Sequence, residues 1–237
     1  WAVIKAVSDA GQGANYWSVG DTKRITLNGK VGAYTFSNFN VDVFILGFNH
    51  NQSVEGNGID FQFGKTADGR DIAFVQSYGS TGTGFCMNTT NTNSGGWKNS
   101  HMMKTICPAF LNALPAAWRN AIKNCTKYSD NTGGGSNTAS YVTATTDYLT
   151  LLAEFEYHGS RSYANSAEQN YQKQYDYYKA GNSKVHYRHD NTGTAVNAWT
   201  RSAYAGGSTV FCLVYTDGTP SINGADDSWA LAPGFWI

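Results

Sequence analysis

Two aromatic, apolar brackets near the end of the chain constrain the fold most. They are Trp199-Thr200-Arg201-Ser202-Ala203-Tyr204 and Trp229-Ala230-Leu231-Ala232-Pro233-Gly234-Phe235-Trp236-Ile237. Residues of this kind are stable only against a core. Between them, Ala205 to Ser228 is small, polar and mixed in character. The pattern predicts a buried framework built on Trp199, Arg201, Pro233, Phe235 and Trp236, with an exposed run between. A buried arginine needs an anionic partner, and Glu154 or Glu156 can supply it. The sequence starts at Trp1 and reads as a processed product or the C-terminal part of a longer protein.

A chain of 237 residues suits one large domain or two small ones. No repeat, linker or break in composition divides it, so residues 1–237 are read as one domain. Charged residues make up only 14%, with 17 basic against 17 acidic. That balance lacks the electrostatic footprint of a nucleic-acid binder. Polar work falls to Asn, Ser, Thr, Gly and Tyr, a composition that suits an extracellular or virion setting. No apolar run is long enough to insert in a membrane. Cys86, Cys107, Cys125 and Cys212 form no CxxC or zinc-like cluster. They read as free core thiols, with one or two disulfides left open.

Along the chain, Trp1 to Ala10 has helical spacing and ends at Gly11-Gln12-Gly13. Lys23 to Leu27 and Gly32 to Phe36 read as strands joined by a turn at Asn28-Gly29. Phe39 to Phe48 reads as a central strand, and Ile59 to Phe63 alternates like a half-buried one. Residues 67–93, rich in Gly, Ser and Thr, read as a long loop or insertion. Gly95 to Ser100 opens a helix carrying Met102, Met103, Ile106, Phe110 and Leu111, with a break or kink at Pro108. Leu114-Pro115 starts another, facing Trp118, Ile122 and Cys125 inward. Asp130 to Ser136 is a glycine-rich loop. Tyr148 to Phe155 runs from strand into a helical turn, and Ser166 to Ala180 reads as a tyrosine-rich helix. Ala195 to Thr200, Thr209 to Thr216 and Leu231 to Ile237 read as strands, with Asp217-Gly218 turning the chain. The pattern is α+β, with strands from both ends needing sheet partners.

Seven motifs in order carry a resemblance. They are Trp1-Ala2-Val3-Ile4, Ser18-Val19-Gly20-Asp21, Ile45 to His50, Gly95 to Ser100, Leu149 to Glu156, Trp199 to Ser202 and Ala232 to Phe235. Together they resemble a bacterial and prophage domain family of uncharacterised function, found at the ends of phage tail-associated and surface proteins. The C-terminal third also resembles the variable proteins of diversity-generating retroelements, including phage tropism determinants. That resemblance implies a C-type-lectin-like fold with mixed antiparallel sheets and a few helices. It further implies a diversified ligand-binding face at about residues 203–228, on a tail-fibre tip that is extracellular and homotrimeric. The expected partners are other tail-fibre subunits and a host cell-surface protein or glycan. A bacterial surface adhesin is the alternative setting.

Mutation of template adenines in Asn codons of the AAC or AAT kind cannot yield Lys, Glu, Gln, Met or Trp. The chain contains 11 Lys, 4 Glu, 7 Gln, 3 Met and 7 Trp, yet Ala203 to Ser228 contains none of them. Uniform use of the chain's own composition would place about 3.5 in a segment of that length. Trp229 lies outside this segment and belongs to the frame, where it can still touch a ligand.

The candidate ligand-binding residues are Tyr204, Gly207, Ser208, Thr209, Leu213, Tyr215, Ser221, Ile222, Asn223, Asp226, Asp227 and Trp229. Rigid aromatics among small polar residues form a recognition surface at low entropic cost. The competing reading is a plain strand–loop–strand with Phe211 and Val214 in the core. Alternation puts Phe211 and Leu213 on one face and Cys212 and Val214 on the other, without saying which faces out.

No cofactor, metal or catalytic residue is predicted. Glu154 and Glu156 could act as acid and base in a secreted glycan-acting enzyme, but would share a face only on a strand. A frame ion pair is the favoured role. His186 and His189 could bind metal on a helix, but their glycine- and asparagine-rich flanks indicate a loop or strand. Asp217, Asp226 and Asp227 could hold calcium, although no Glu-Pro-Asn type of calcium-and-sugar motif is present. The implied fold is also similar to that of formylglycine-generating enzymes, whose reactive-cysteine site Cys212 alone does not reproduce.

Overall fold

The computed structural model describes residues 1–66 and 68–237, so the first residue of the predicted 67–93 loop lies outside the described residues. The predicted first helix forms as α1 (Ala2–Asp9). Two long strands follow, β1 (Thr22–Val31) and β2 (Tyr34–Phe48), paired antiparallel. Their turn lies at Gly32-Ala33, not at the predicted Asn28-Gly29. The register shifts between Leu27 and Gly29, and Gly29 has φ 126°. That geometry is a bulge inside the strand. The Asn28 side chain accepts a hydrogen bond from the Asn38 N–H (2.8 Å), and the Asn28 backbone N–H donates to the Ala113 carbonyl (2.9 Å). The asparagine–glycine pair thus bends a long hairpin against the helical segment instead of closing a short one.

After α2 (Gln52–Glu55) comes β3 (Ile59–Lys65), where the predicted alternation is correct but its polar face is covered. Ile59, Phe61 and Phe63 enter the main core. On the other face Asp60 accepts from the Tyr175 hydroxyl (3.1 Å), while Gln62 bonds the hydroxyls of Tyr157 (2.7 Å) and Tyr178 (2.6 Å). A tyrosine-rich layer replaces water on this face and pairs both Asp60 and Gln62.

β4 (Asp71–Ala73) precedes a long irregular segment. The expected loop is irregular, but parts of it enter the core: Phe74, Val75, Phe85, Cys86, Met87 and Asn93 are buried. The Gly-Gly-Trp motif opens α3 (Gly96–Asn99), and a π-helical turn at Met102–Ile106 leads into α4 (Cys107–Asn112). Pro108 lacks a donor, and the π turn before it absorbs the break. Met102, Ile106 and Phe110 form the predicted buried stripe. α5 (Ala116–Arg119) follows, with Pro115 just before its first residue and Trp118 buried.

β5 (Cys125–Asp130) and β6 (Val142–Asp147) pair as a two-stranded sheet that the sequence reading missed. β7 (Leu149–Leu151) and α6 (Glu154–His158) match the predicted strand-to-helix run. The predicted helix 166–180 is instead a 3₁₀ turn at Ser166–Asn170, an irregular stretch, and α7 (Asp176–Lys179). Extended backbone at Tyr175 (φ −63°, ψ 140°) lets its hydroxyl reach Asp60 and Lys127. β8 (His186–Arg188), β9 (Asn191–Val196), β10 (Ala198–Ala203), β11 (Val210–Val214), β12 (Pro220–Gly224) and β13 (Pro233–Trp236) complete the chain. The predicted strand 195–200 straddles β9 and β10.

The large sheet runs β1-β2-β3 and continues through β4 to β8 and β9. β13 lies between β3 and β7, pairing with both. β10, β11 and β12 form a separate antiparallel sheet. The result is a single, β-rich mixed α/β domain with a few short helices. Its last strand is tied to the body: Ile59 and Ile237 exchange backbone hydrogen bonds (3.1 and 3.2 Å), and Phe235 stacks on Phe61 at 5.1 Å. All four cysteines are buried free thiols, the first of the two readings left open.

Candidate functional site

The segment between the brackets rests on a buried ionic frame. Arg201, fully buried in β10, meets Glu156 of α6 through two hydrogen bonds of 2.6 and 2.8 Å. It also donates to Ser129 Oγ and to the Leu151 carbonyl, both at 2.8 Å. Of its two predicted partners, Glu156 is the one used. Glu154 instead accepts from the backbone of Tyr163 (3.1 Å) and Ala164 (2.8 Å).

Lys127 of β5 is the second buried cation. Its ammonium lies 2.7 Å from Glu55, 2.9 Å from the Tyr175 hydroxyl and 3.7 Å from Glu156. Burial works to lower its pKa, and Glu55 and Glu156 outweigh that and raise it. Burial alone would raise the Glu156 carboxyl, but Arg201 and Lys127 hold it down at about 2. Glu55 is pushed up by burial to about 8 and Asp60 to about 6, in each case against Lys127. Three carboxyls and two cations thus share one buried cluster.

On this frame the sheet β10-β11-β12 presents the candidate residues, but not as one patch. Tyr204, Gly207, Ser208, Thr209, Asn223, Asp226 and Asp227 lie at or just beyond one end of the sheet. Tyr215 sits past the opposite end of β11, and the five residues of β11 separate the two ends by roughly 17 Å. Ser221 and Ile222 lie half-buried on the edge strand β12, and Trp229 packs against Tyr78 at 5.0 Å. Leu213 is a correction. It is 1% exposed, and β11 has both faces buried, with Phe211 and Leu213 in the main core and Val214 in the tyrosine cluster. A strand sandwiched on both sides offers no outward face for alternation to identify.

Both long loops flank this surface. Asn93, fully buried, donates through its side chain to the carbonyls of Gly207 (2.7 Å), Val210 (2.9 Å) and Tyr204 (3.3 Å). Its Oδ1 accepts from Gly134 (2.8 Å), and a Cβ added at Gly133 (φ 65°) would strike the Asn93 carbonyl. The segment 79–88 pins the other side: Asn88 bonds the Ala225 carbonyl, Gly82 that of Asp226 (2.7 Å), and Ser228 the Ser80 carbonyl (2.7 Å). Tyr163 packs edge-on against Tyr204 at 5.8 Å. Sequence reasoning missed Asn93, Lys127 and Tyr163. The one available signal for Asn93 was its place beside Gly95-Gly96, opposite a second glycine cluster at 133–135.

The other candidates take their places as follows. Glu154 and Glu156 sit on a helix and are both fully buried. His186 lies on β8, 3.1 Å from the Tyr157 hydroxyl, and His189 accepts from the Val75 N–H (3.1 Å), so the two serve different neighbours. Asp217 closes the turn before β12 while Asp226 and Asp227 follow that strand, so the three carboxylates do not converge. Cys212 is buried, and burial drives its thiol pKa well up.

These features define a class: a single β-rich domain holding a polar C-terminal segment on a rigid ionic frame. Residues 81–237 match the family described as a domain of unknown function, DUF6273, and the chain belongs to that family. No curated protein and no solved structure matches the chain. The matched span includes Lys127, Glu156 and Arg201 and all three strands of the small sheet.

Proposed function

We propose that this domain is a ligand-binding module that recognises a host cell-surface protein or glycan through its C-terminal segment. The setting is the tip of a phage tail fibre. One observation carries the reading. The backbone of residues 204–228 is pinned on both flanks by buried hydrogen bonds, while Ser208, Thr209 and Tyr215 are exposed and Asn223, Asp226 and Asp227 half-exposed. Side chains can vary on such a surface without disturbing the frame, and a pre-ordered surface binds with little entropic cost. The absence of Lys, Glu, Gln, Met and Trp from 203–228 supports a diversified segment.

The same proposal takes the architecture as C-type-lectin-like. The C-terminal strand joined into the main sheet, and the separate small sheet that presents the segment, both support it. It also takes the assembly as a homotrimer with other tail-fibre subunits, since multivalency strengthens weak contacts. A bacterial surface adhesin would use the same surface. Recognition in this reading calls on no cofactor, nucleic acid or membrane insertion, although His50, Glu55 and Glu156 lie close enough together to share a cation. No helix among the described residues is long and apolar enough to cross a membrane. A glycan-cleaving role through Glu154 and Glu156 is disfavoured because neither carboxylate reaches solvent.

Cell attachment by the purified domain tests the reading. Ser208→Trp and Asp226→Ala should each abolish or redirect attachment to susceptible bacteria while leaving the unfolding midpoint unchanged. Attachment that persists with both changes present would exclude this surface.

A further inference from the structure

Three side chains placed to share one ion meet inside the ionic frame. The ligand atoms of His50, Glu55 and Glu156, one from each, lie within 4.8 Å of one another. They come from three separate parts of the chain: the turn after β2, the end of α2 and the middle of α6. Ligands of one zinc ion stand about 2.1 Å from the metal and roughly 3.4 Å apart in a tetrahedron. Small side-chain rotations therefore close the set.

Two atoms of this cluster are orphaned. His50 Nε2 and Glu55 Oε2 are both sealed from solvent, and neither has a hydrogen-bond partner among the described residues. His50 as a whole is 8% exposed and the Glu55 side chain 4%. Lys127 comes within 2.7 Å of that Glu55 oxygen but outside hydrogen-bonding alignment. Buried polar atoms are nearly always paired, so two in one cluster need a reason. The third member also has room. Glu156 Oε2 accepts from Arg201 (2.6 Å) and from the Ala153 N–H (2.9 Å), whereas its Oε1 accepts only from Arg201 (2.8 Å) and keeps a lone pair free.

Lys127 is the competitor for this place. Its ammonium lies 2.7 Å from Glu55 and 3.7 Å from Glu156, and it opposes a second cation there. It also has other holds: the Tyr175 hydroxyl (2.9 Å), which donates in turn to Asp60 (3.1 Å), and the face of Trp236 at 4.8 Å. An ion that takes Glu55 from it leaves it bound to Tyr175 and attracted by Asp60. One imidazole with two carboxylates suits a transition ion; calcium and magnesium take oxygen ligands. His50 also lines an open cleft of about 560 Å³, which gives an ion its way in. We infer that His50, Glu55 and Glu156 bind one divalent transition-metal ion of the zinc class, in exchange for the Lys127 ammonium, and that this ion staples α2 and the end of β2 to α6. None of the three ligands belongs to residues 203–228, and His50 and Glu55 precede the span matched to the family.

Calorimetric titration of the chelator-stripped chain with zinc chloride and with calcium chloride tests the inference, with the thermal midpoint followed alongside. Zinc should bind one to one and raise the midpoint, and calcium should do neither. His50→Gln and Glu55→Gln should each abolish the one-to-one binding, and the metal-free midpoint of each variant reports that it is folded. Lys127→Met removes the competing charge. It should bind zinc about tenfold more tightly or better, and the zinc should recover the midpoint that the substitution lowers. The inference is overturned if zinc does not bind the unaltered chain one to one, if calcium binds as well as zinc, if one-to-one binding survives either ligand variant, or if Lys127→Met binds zinc no more tightly.

Discussion

At the scale of single residues, Arg201 is the most consequential side chain in the molecule. It is fully buried, and its four hydrogen bonds go to Glu156, Ser129 and Leu151. Arg201→Ala leaves Glu156 charged, buried and short of its main partner, which should lower stability by about 3–5 kcal/mol in urea unfolding. Replacing both partners with methionine should recover much of that loss; a double variant as unstable as the single one would mean the pair is not the cause. Arg201 was legible as a buried arginine because it lies in an apolar bracket opened by Trp199, but the choice of Glu156 over Glu154 was not. Leu213 was not legible, because alternation assigns a strand two faces without saying how many are covered. Leu213→Ala should cost about 2–5 kcal/mol as a core truncation, whereas Tyr215→Ala, 45% exposed, should stay within about 0.5 kcal/mol. Similar losses at the two positions would contradict the burial assigned to them.

At the scale of elements, the decisive piece is the irregular segment 74–95, most of it within the expected loop 67–93, whose buried anchors the sequence does not announce. Its composition of Gly, Ser, Thr and Asn carries no period. Its backbone is nonetheless satisfied by the C-terminal segment through hydrogen bonds formed only across the fold. Long-range pairing of this kind leaves no local signal, and the same holds for β5, whose buried Lys127 interrupts any apolar pattern. Strands rich in Val, Ile and Phe were legible as strands, as with β11 and the second half of β2, which joins the two expected strands 32–36 and 39–48 into one; the Trp-flanked frame was legible too. Asn93 is the clamp. Asn93→Ala removes three hydrogen bonds to carbonyls at 204–210 and the acceptor for Gly134. Stability should fall by about 2 kcal/mol or more. Amide exchange should accelerate in residues 204–209 and 133–135 ahead of the rest of the sheet, as measured by mass spectrometry. Uniform acceleration throughout the domain would show that Asn93 supports the core and not this surface.

At the scale of the whole molecule, the buried titratable groups set how stability follows pH, and they act in opposing directions. Glu156 is held at about 2 against a usual 4.5. Its contribution is complete above about pH 4.5 and is lost as pH falls toward 2. Burial holds His50 and His186 at about 3 and His158 at about 4, against a usual 6.5. Unfolding lets these rings take up protons, so they too withdraw stability as pH falls from about 6.5. Burial has the reverse consequence for carboxyls. Glu55 is raised to about 8, Glu168 to about 7, and Asp60 and Asp71 to about 6. Unfolding releases their protons, so stability is lost as pH rises from about 4 through those values. The two sets oppose each other between about pH 4.5 and 6.5. Below that range the histidines and Glu156 dominate, and above it Glu55 and Glu168 do. The thermal midpoint should therefore peak between about pH 5 and 6.5 and decline toward both pH 3 and pH 8.5. A midpoint that climbs steadily from pH 6 to 8.5 would show that Glu55 and Glu168 are ionised in the folded protein. Lys127 and Arg201 would then be balancing four carboxylates instead of two.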